Sequence, residues 1–213
     1  MYQTPDGAPR PEGDSARRAN ARGGLPSEAV NLRTFLPPPD QEIAEPPSRG
    51  RPAPGLEGHD APGCPQIVAF LRHTGCPFAE RTFRELRDRA TEHPEVCFLA
   101  VSHSPEAATD AWAEAVGGRG EVDLVVDEER SLYAAWGLGR SSFGHFMGLT
   151  SLRAVGELAR EGVRNRHPHG TRWQQAGTFA LDPDQTVCWR HLPEHAGDLP
   201  DLRAAIRACR PSG

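Results

Sequence analysis

Residues 68–81 read Val68-Ala69-Phe70-Leu71-Arg72-His73-Thr74-Gly75-Cys76-Pro77-Phe78-Ala79-Glu80-Arg81, an apolar run, a turn, then a cysteine and a proline heading an amphipathic stretch. The pattern predicts a buried strand that ends in a tight turn and a helix opened by Pro77. Proline suits the first helical position because its missing N–H would have had no partner there. A thiol at that point faces the unsatisfied N–H groups of the first turn, whose partial positive charge favours thiolate over thiol. Cys76 is therefore the candidate nucleophile. Nearby cations act in the same sense, so Arg72 and His73 are candidates to hold the thiolate or to donate to a leaving group.

The chain around this stretch has 213 residues, and 11 of its 21 prolines fall within the first 60. That segment is also rich in Gly, Arg, Asp and Glu and shows no sustained period of 2 or 3.6. It cannot bury enough apolar surface to offset chain entropy, so residues 1–61 are expected to be a disordered Pro/Gly/Arg-rich tail and residues 62–210 the folded domain. Within the tail, residues 27–35 could form a short helix, which Pro37, Pro38 and Pro39 stop. The net charge of −5 argues against a general nucleic-acid surface. All of the cations among Lys and Arg are arginine. No apolar run approaches a membrane span, and the N-terminus lacks the apolar core of a signal peptide. Five cysteines without repeated spacing suggest neither a disulfide framework nor a zinc site, so no metal and a reduced, cytoplasmic setting are expected.

Periodicity divides the rest of the chain. Residues 66–71, 96–101 and 122–126 read as buried strands, with helices over 78–93, 105–116 (capped by Ser104) and 128–136 (closed by Gly137). A further helix is expected at 149–161, followed by a polar stretch at 164–175. Residues 178–181 and 186–191 flank Asp182-Pro183-Asp184-Gln185, a hairpin signal, and residues 199–209 form a last helix. The order is βαβαβα, a helical insertion, then ββα. It implies an α/β fold in which parallel βαβ units and a closing antiparallel hairpin share one sheet flanked by helices.

That order, with a cysteine at the first strand–helix turn, resembles the thioredoxin fold, and more specifically the peroxiredoxin-like branch of the AhpC/TSA (alkyl hydroperoxide reductase, thiol-specific antioxidant) family. Residues 70–76 are similar to its strand and nucleophile turn. Residues 124–137 are similar to its strand, Asp turn and helix ending in Gly. Residues 174–183 with 195–200 are similar to its closing hairpin and last helix. The resemblance implies a thiol oxidoreductase in which Cys76 attacks a small-molecule peroxide or a disulfide, with Thr74 beside it. No bound cofactor is implied, and glutathione or thioredoxin would serve as reductant. Trp173, Gly177 and Thr178, at the start of the closing hairpin, would line the substrate site. Three positions depart from the family pattern. Ala79 stands where many members have a second cysteine, Thr74 lies two residues before Cys76 instead of three, and Gly177-Thr178 replaces a cis-proline. Residues 76–82 also resemble the active-site turn of omega-class glutathione transferases, which implies a glutathione-dependent thioltransferase as an alternative chemistry. A non-catalytic thioredoxin-like binding module is the alternative from another class.

The remaining candidates carry bland readings beside the functional ones. Glu80 reads as an exposed helix residue able to orient Arg84. Cys97 and Cys188 read as small apolar core residues, whereas Cys64 and Cys209, near the ends, are candidate resolving thiols. Asp127, Glu128 and Glu129 suit a helix start. His191, His195 and Asp198 cross a strand end and make a poor metal site. The sequence carries no statement of oligomeric state.

Overall fold

The computed structural model describes residues 39–141, 169–195 and 197–209. The expected tail before residue 39, the helix at 27–35 and the helix at 149–161 lie outside those residues. The elements are β1 (Gln66–Phe70), α1 (Pro77–Glu92), β2 (Cys97–Ser102), α2 (Glu106–Ala115), β3 (Val122–Val126), α3 (Ser131–Ala135), β4 (Gly177–Leu181), β5 (Val187–His191) and α4 (Leu202–Cys209). They form a five-stranded sheet in the order β3-β2-β1-β4-β5. β1 runs parallel to β2, with Phe70 opposite Val101, and antiparallel to β4, with Phe70 opposite Gly177. This is the thioredoxin-like α/β arrangement that the βαβ order and the hairpin signal imply.

The centre of the sheet is buried on both faces, which is why β1 reads as an apolar run from Ile67 to Phe70 and not as an alternation. Ile67, Ala69 and Leu71 pack with Phe83 and Leu86 of α1, Trp112 of α2 and Ile206 of α4. Val68 and Phe70 face the other way, onto Leu132 and Tyr133 of α3, Trp136, Phe179 and Leu56. The Phe70 ring lies 5.1 Å from Tyr133 and 5.3 Å from Trp136, so one phenyl group joins the sheet to the segment around α3.

Helix starts differ from expectation for local reasons. α2 begins after Pro105, which takes the N-cap position and has no side-chain cap to offer, while the Ser104 oxygen one residue earlier is taken up as an acceptor by the Thr74 N–H (3.2 Å) and hydroxyl (3.0 Å). α3 begins at Ser131, not 128, because residues 127–130 form a turn with Arg130 in the left-handed region (φ 61°). The Asp127 carboxylate closes that turn, accepting from the backbone N–H of Ser131 (2.9 Å), Leu132 (2.9 Å) and Tyr133 (3.2 Å). A carboxylate there also suits the helix dipole.

The boundary at residue 62 is corrected. The described part of the expected tail has almost no regular structure, yet it packs on the domain. Ala44 N–H donates to Ala134 (3.0 Å), Gly50 N–H to Val187 (2.8 Å), and Val187 N–H to Arg51 (2.9 Å). Arg190 Nη1 donates to the carbonyls of Pro46 and Pro47, both at 3.0 Å. Leu56 is fully buried against the sheet. Backbone pairing along a strand edge and a single apolar anchor need no hydrophobic period, which is why the composition missed this arm. Gly137 marks the contact: at φ 75°, an added Cβ would stand 2.3 Å from Pro46 N.

Two further expectations are overturned. Cys64 and Cys97 are not a resolving thiol and a core thiol but a disulfide, with Cα atoms 6.3 Å apart. The parallel register places Gln66 opposite Cys97, and Cys97 N–H donates to Pro65 (2.8 Å), so a residue just before β1 reaches β2. Glu80 is fully buried, not exposed, and accepts from Arg84 Nη2 at 2.5 Å.

Because Leu56 fills a socket under the sheet, Leu56→Ala should destabilise the domain by about 2–5 kcal/mol. Urea denaturation of the full chain measures this, and an unchanged midpoint would show that the arm does not contribute to folding. A chain beginning at residue 62 should lose at least as much.

Candidate functional site

Cys76 sits at the N-cap of α1 in an extended conformation (φ −73°, ψ 126°), directly before Pro77. Gly75, at φ 87°, turns the chain after β1. Cys76 N–H donates to His73 O (3.3 Å), and Cys76 O accepts the first helical bond from Glu80 N–H (3.0 Å). The cysteine is 4% exposed.

Two arginines lie within electrostatic range of this thiol. Arg72 is itself buried, and its Nη2 donates to the Arg172 carbonyl at 3.5 Å. Burial pulls the Arg72 guanidinium below its ordinary pKa, while Cys76 acts in the opposite sense. Arg172 shows the same opposition between desolvation and Cys76, so the loop before β4 brings a second cation to the turn after β1.

His73 cannot share that role. It is buried, and desolvation, outweighing its bond to Thr74, lowers its pKa to about 3. Its Nδ1 lies 2.9 Å from the Thr74 carbonyl, to which a neutral imidazole donates. His73 is thus a neutral peg in the turn and not a cation for the thiolate. Thr74, with no exposure, donates its hydroxyl to Ser104 Oγ (3.0 Å), and its N–H points to the same atom (3.2 Å). The hydroxyl proton therefore holds the nucleophile turn to the segment after β2.

His103 and Tyr133 were not singled out in the sequence. His103 is buried, with its Nε2 3.1 Å from the Thr171 carbonyl and its ring edge-on to Tyr133 at 5.5 Å. Desolvation lowers its pKa to about 4. The Tyr133 hydroxyl lies 2.6 Å from the Leu71 carbonyl and 2.8 Å from that of Val101, bridging the ends of β1 and β2. The signal for His103 was the parallel register: Phe70 opposite Val101 aligns the residues that follow the two strands.

A shallow, mainly apolar groove runs beside the turn. Arg72, Phe78, Ala79, Thr82, Gly177 and Thr178 line it, closed by His195 and Asp198. Gly177 and Thr178 are there because β4 starts opposite the end of β1. Trp173 is not among the lining residues; its backbone is engaged, accepting from Ser141 N–H (2.8 Å) and donating to Thr171 Oγ1 (3.3 Å). His191 Nε2 lies 3.5 Å from Asp198 Oδ1. No group of three potential metal ligands occurs among the described residues.

A cysteine between the central strand and the first helix, backed by a closing hairpin, defines the class: a thioredoxin-like protein of the peroxiredoxin-like type. The AhpC/TSA antioxidant enzyme family matches residues 83–195, and the chain belongs to that family. The match begins after Cys76, so the nucleophile turn rests on the geometry above. Among solved structures, the chain is similar to a peroxiredoxin-like protein from Aquifex aeolicus, with a TM-score of 0.54 and 12% identity over 78% of this chain and 88% of that one. It is also similar to a thiol peroxidase from Chromobacterium violaceum, with a TM-score of 0.55 and 14% identity over 78% and 87%. At such identities the likeness concerns the fold. No curated protein matches the chain. Among the described residues, no helix is long and apolar enough to cross a membrane.

The two buried histidines set an acid limit. Their folded pKa values, about 3 and about 4, lie below the ordinary 6.5. As pH falls through 6.5 the unfolded chain takes up protons that the folded chain refuses, so their contribution is present above that pH and is lost below it. The loss is about 1.4 kcal/mol per pH unit and per histidine, until the folded pKa is reached. The urea midpoint should therefore fall between about pH 7 and about pH 5, and replacing both His73 and His103 by Asn should flatten the slope. Parallel slopes in the two proteins would refute the assignment.

Proposed function

We propose that Cys76 is the nucleophile of a one-cysteine thiol peroxidase that draws its reducing equivalents from an external thiol. The observation that carries this reading is the placement of Cys76 at the start of α1 with Arg72 and Arg172 in electrostatic range. The Cys76 thiolate would attack the distal oxygen of a hydroperoxide; the S–O bond forms as the O–O bond breaks, and the alcohol leaves with a proton. The sulfenic acid would then condense with a thiol such as glutathione, releasing water, and a second thiol would free Cys76 as a disulfide departs. A disulfide substrate would enter the same cycle at the mixed-disulfide stage.

The other cysteines favour an outside reductant. Cys64 is bonded to Cys97, opposite the first residue of β1, and Cys209 touches Cys188 beside Leu181, which also pairs with that residue. Cys76 follows the other end of β1, a strand roughly 13 Å long. Ala79, in the groove beside Cys76, offers no thiol. Thr178 and Gly177 would contact the substrate, while Thr74, His73 and Tyr133 would position the turn. Glutathione or thioredoxin would serve as reductant; the Cys64–Cys97 disulfide runs against the reduced, cytoplasmic setting expected from cysteine spacing alone.

One observation favours the competing reading of a non-catalytic module: Cys76 is only 4% exposed. Intact-mass analysis after brief peroxide and then glutathione separates the two. One added oxygen that converts to a glutathione adduct on the Cys76 peptide supports the peroxidase; a Cys76 inert until the chain is unfolded supports the module. Cys76→Ser should abolish turnover, and Arg172→Gln should slow the first step about tenfold, or roughly 1.4 kcal/mol. Ala79→Cys, three residues along the helix, should shorten the lifetime of the adduct in single turnover. An unchanged lifetime would contradict the placement of Cys76 at this helix start.

A further inference from the structure

Cys188 and Cys209 belong to no part of the site at Cys76. Cys188 lies on β5, half-buried, and Cys209 ends α4, buried against the core. A defect in the sheet brings them together. Ala180 pairs with Trp189, whereas Leu181 pairs with Val187, so Cys188 is an extra residue in a β-bulge. Bulges re-aim side chains. Here Val187 packs on the α3 face of the sheet, while both Cys188 and Trp189 pack on the face carrying α1 and α4. The Cys188 sulfur lies 3.2 Å from Ala180 O and the Cys209 sulfur 3.3 Å from Ala205 O, and the two side chains are within hydrogen-bonding range of each other, where the Cys209 proton can turn from Ala205 O to the Cys188 sulfur.

We propose that Cys188 and Cys209 are a second oxidisable site, which a hydroperoxide converts into a disulfide joining the edge strand to the C-terminal helix. The half-buried sulfur is the one an oxidant reaches, and the buried sulfur lies beside it on the same face of the sheet. The electrostatics assign the same roles. The hydrogen bond from Cys209, followed by the weaker opposing effects of burial and Asp182, leaves the Cys188 thiol below its ordinary pKa. That hydrogen bond and burial push Cys209 up, so it remains the protonated partner. Cys188 thiolate attacks the peroxide, forming S–O as O–O breaks and releasing the alcohol. Cys209 sulfur then attacks Cys188 sulfur, forming S–S as S–O breaks, and its proton leaves with the hydroxide as water. Two thiols lose two electrons, and the hydroperoxide gains them.

The test uses the full-length Cys76→Ala chain, in which the peroxidase reading plays no part, with hydrogen peroxide as oxidant and maleimide labelling afterwards. The expected result is the loss of both labelled thiols, a mass loss of two hydrogens, one cross-linked peptide containing Cys188 and Cys209, and recovery of both thiols with dithiothreitol. In Cys76→Ala/Cys209→Ser, Cys188 should stop as a sulfenic acid that dimedone traps. Two thiols that still label, or an oxygen gained at Cys188 while Cys209 still labels, would overturn the proposal. The parent Cys76→Ala chain gives this answer by itself if the double variant does not fold. An inert pair beside an active wild-type Cys76 would sink this inference and leave the peroxidase reading standing.

Discussion

The structure depends on β1 being paired on both sides, parallel to β2 and antiparallel to β4, and buried on both faces. A strand so enclosed carries apolar side chains from Ile67 on, and its one polar residue, Gln66 at the start, donates from its side chain to the His59 carbonyl (2.9 Å). Chemistry must wait for the residue at which the chain leaves the sheet. Phe70 is the last paired residue, and within six positions come Arg72, His73, Thr74 and Cys76. The parallel neighbour ends at the same level and supplies His103 and Ser104, while the antiparallel neighbour begins there and supplies Gly177 and Thr178. The site is the place where three backbones change direction together.

Holding that turn takes polar groups that water would otherwise satisfy. Tyr133 sends its hydroxyl between two strand-end carbonyls, Thr74 donates to Ser104, and Ser104 donates to the segment at His169. Buried hydrogen bonds of this kind specify a geometry more than they add stability, since each replaces a bond to water. The two histidines go further, because they fold only as neutral rings. The positive charge beside the thiol comes instead from Arg72 and Arg172.

Much of the fold was legible because it is written in runs and breaks. Ile67–Phe70 is a short apolar run and Val122–Val126 is apolar apart from Asp123, which faces solvent on the edge strand; the Asp182 turn announces the hairpin. The cysteine before a proline was legible for the same local reason. Pairings between distant segments were not. Nothing in a spacing of 33 residues marks Cys64 and Cys97 as partners, and only the strand register brings them together. The burial of Glu80 was missed because Arg84 satisfies it one turn later, which makes an inward carboxylate look like an outward pair. The arm from residue 43 to 56 escaped because prolines and glycines signal irregular backbone, and irregular backbone can still be fixed by edge bonds and one leucine.

The arm also bears on the disulfide. Cys64 joins the root of the arm to β2, eight residues after Leu56 enters its socket. The arm is therefore a ligand held at its own binding site, and its docking is a one-molecule event. On a short tether of this kind the local concentration of Leu56 is of the order of millimolar, whatever the concentration of the protein. A competing segment from another chain would have to overcome that figure to reach the same socket or the covered edge of β5.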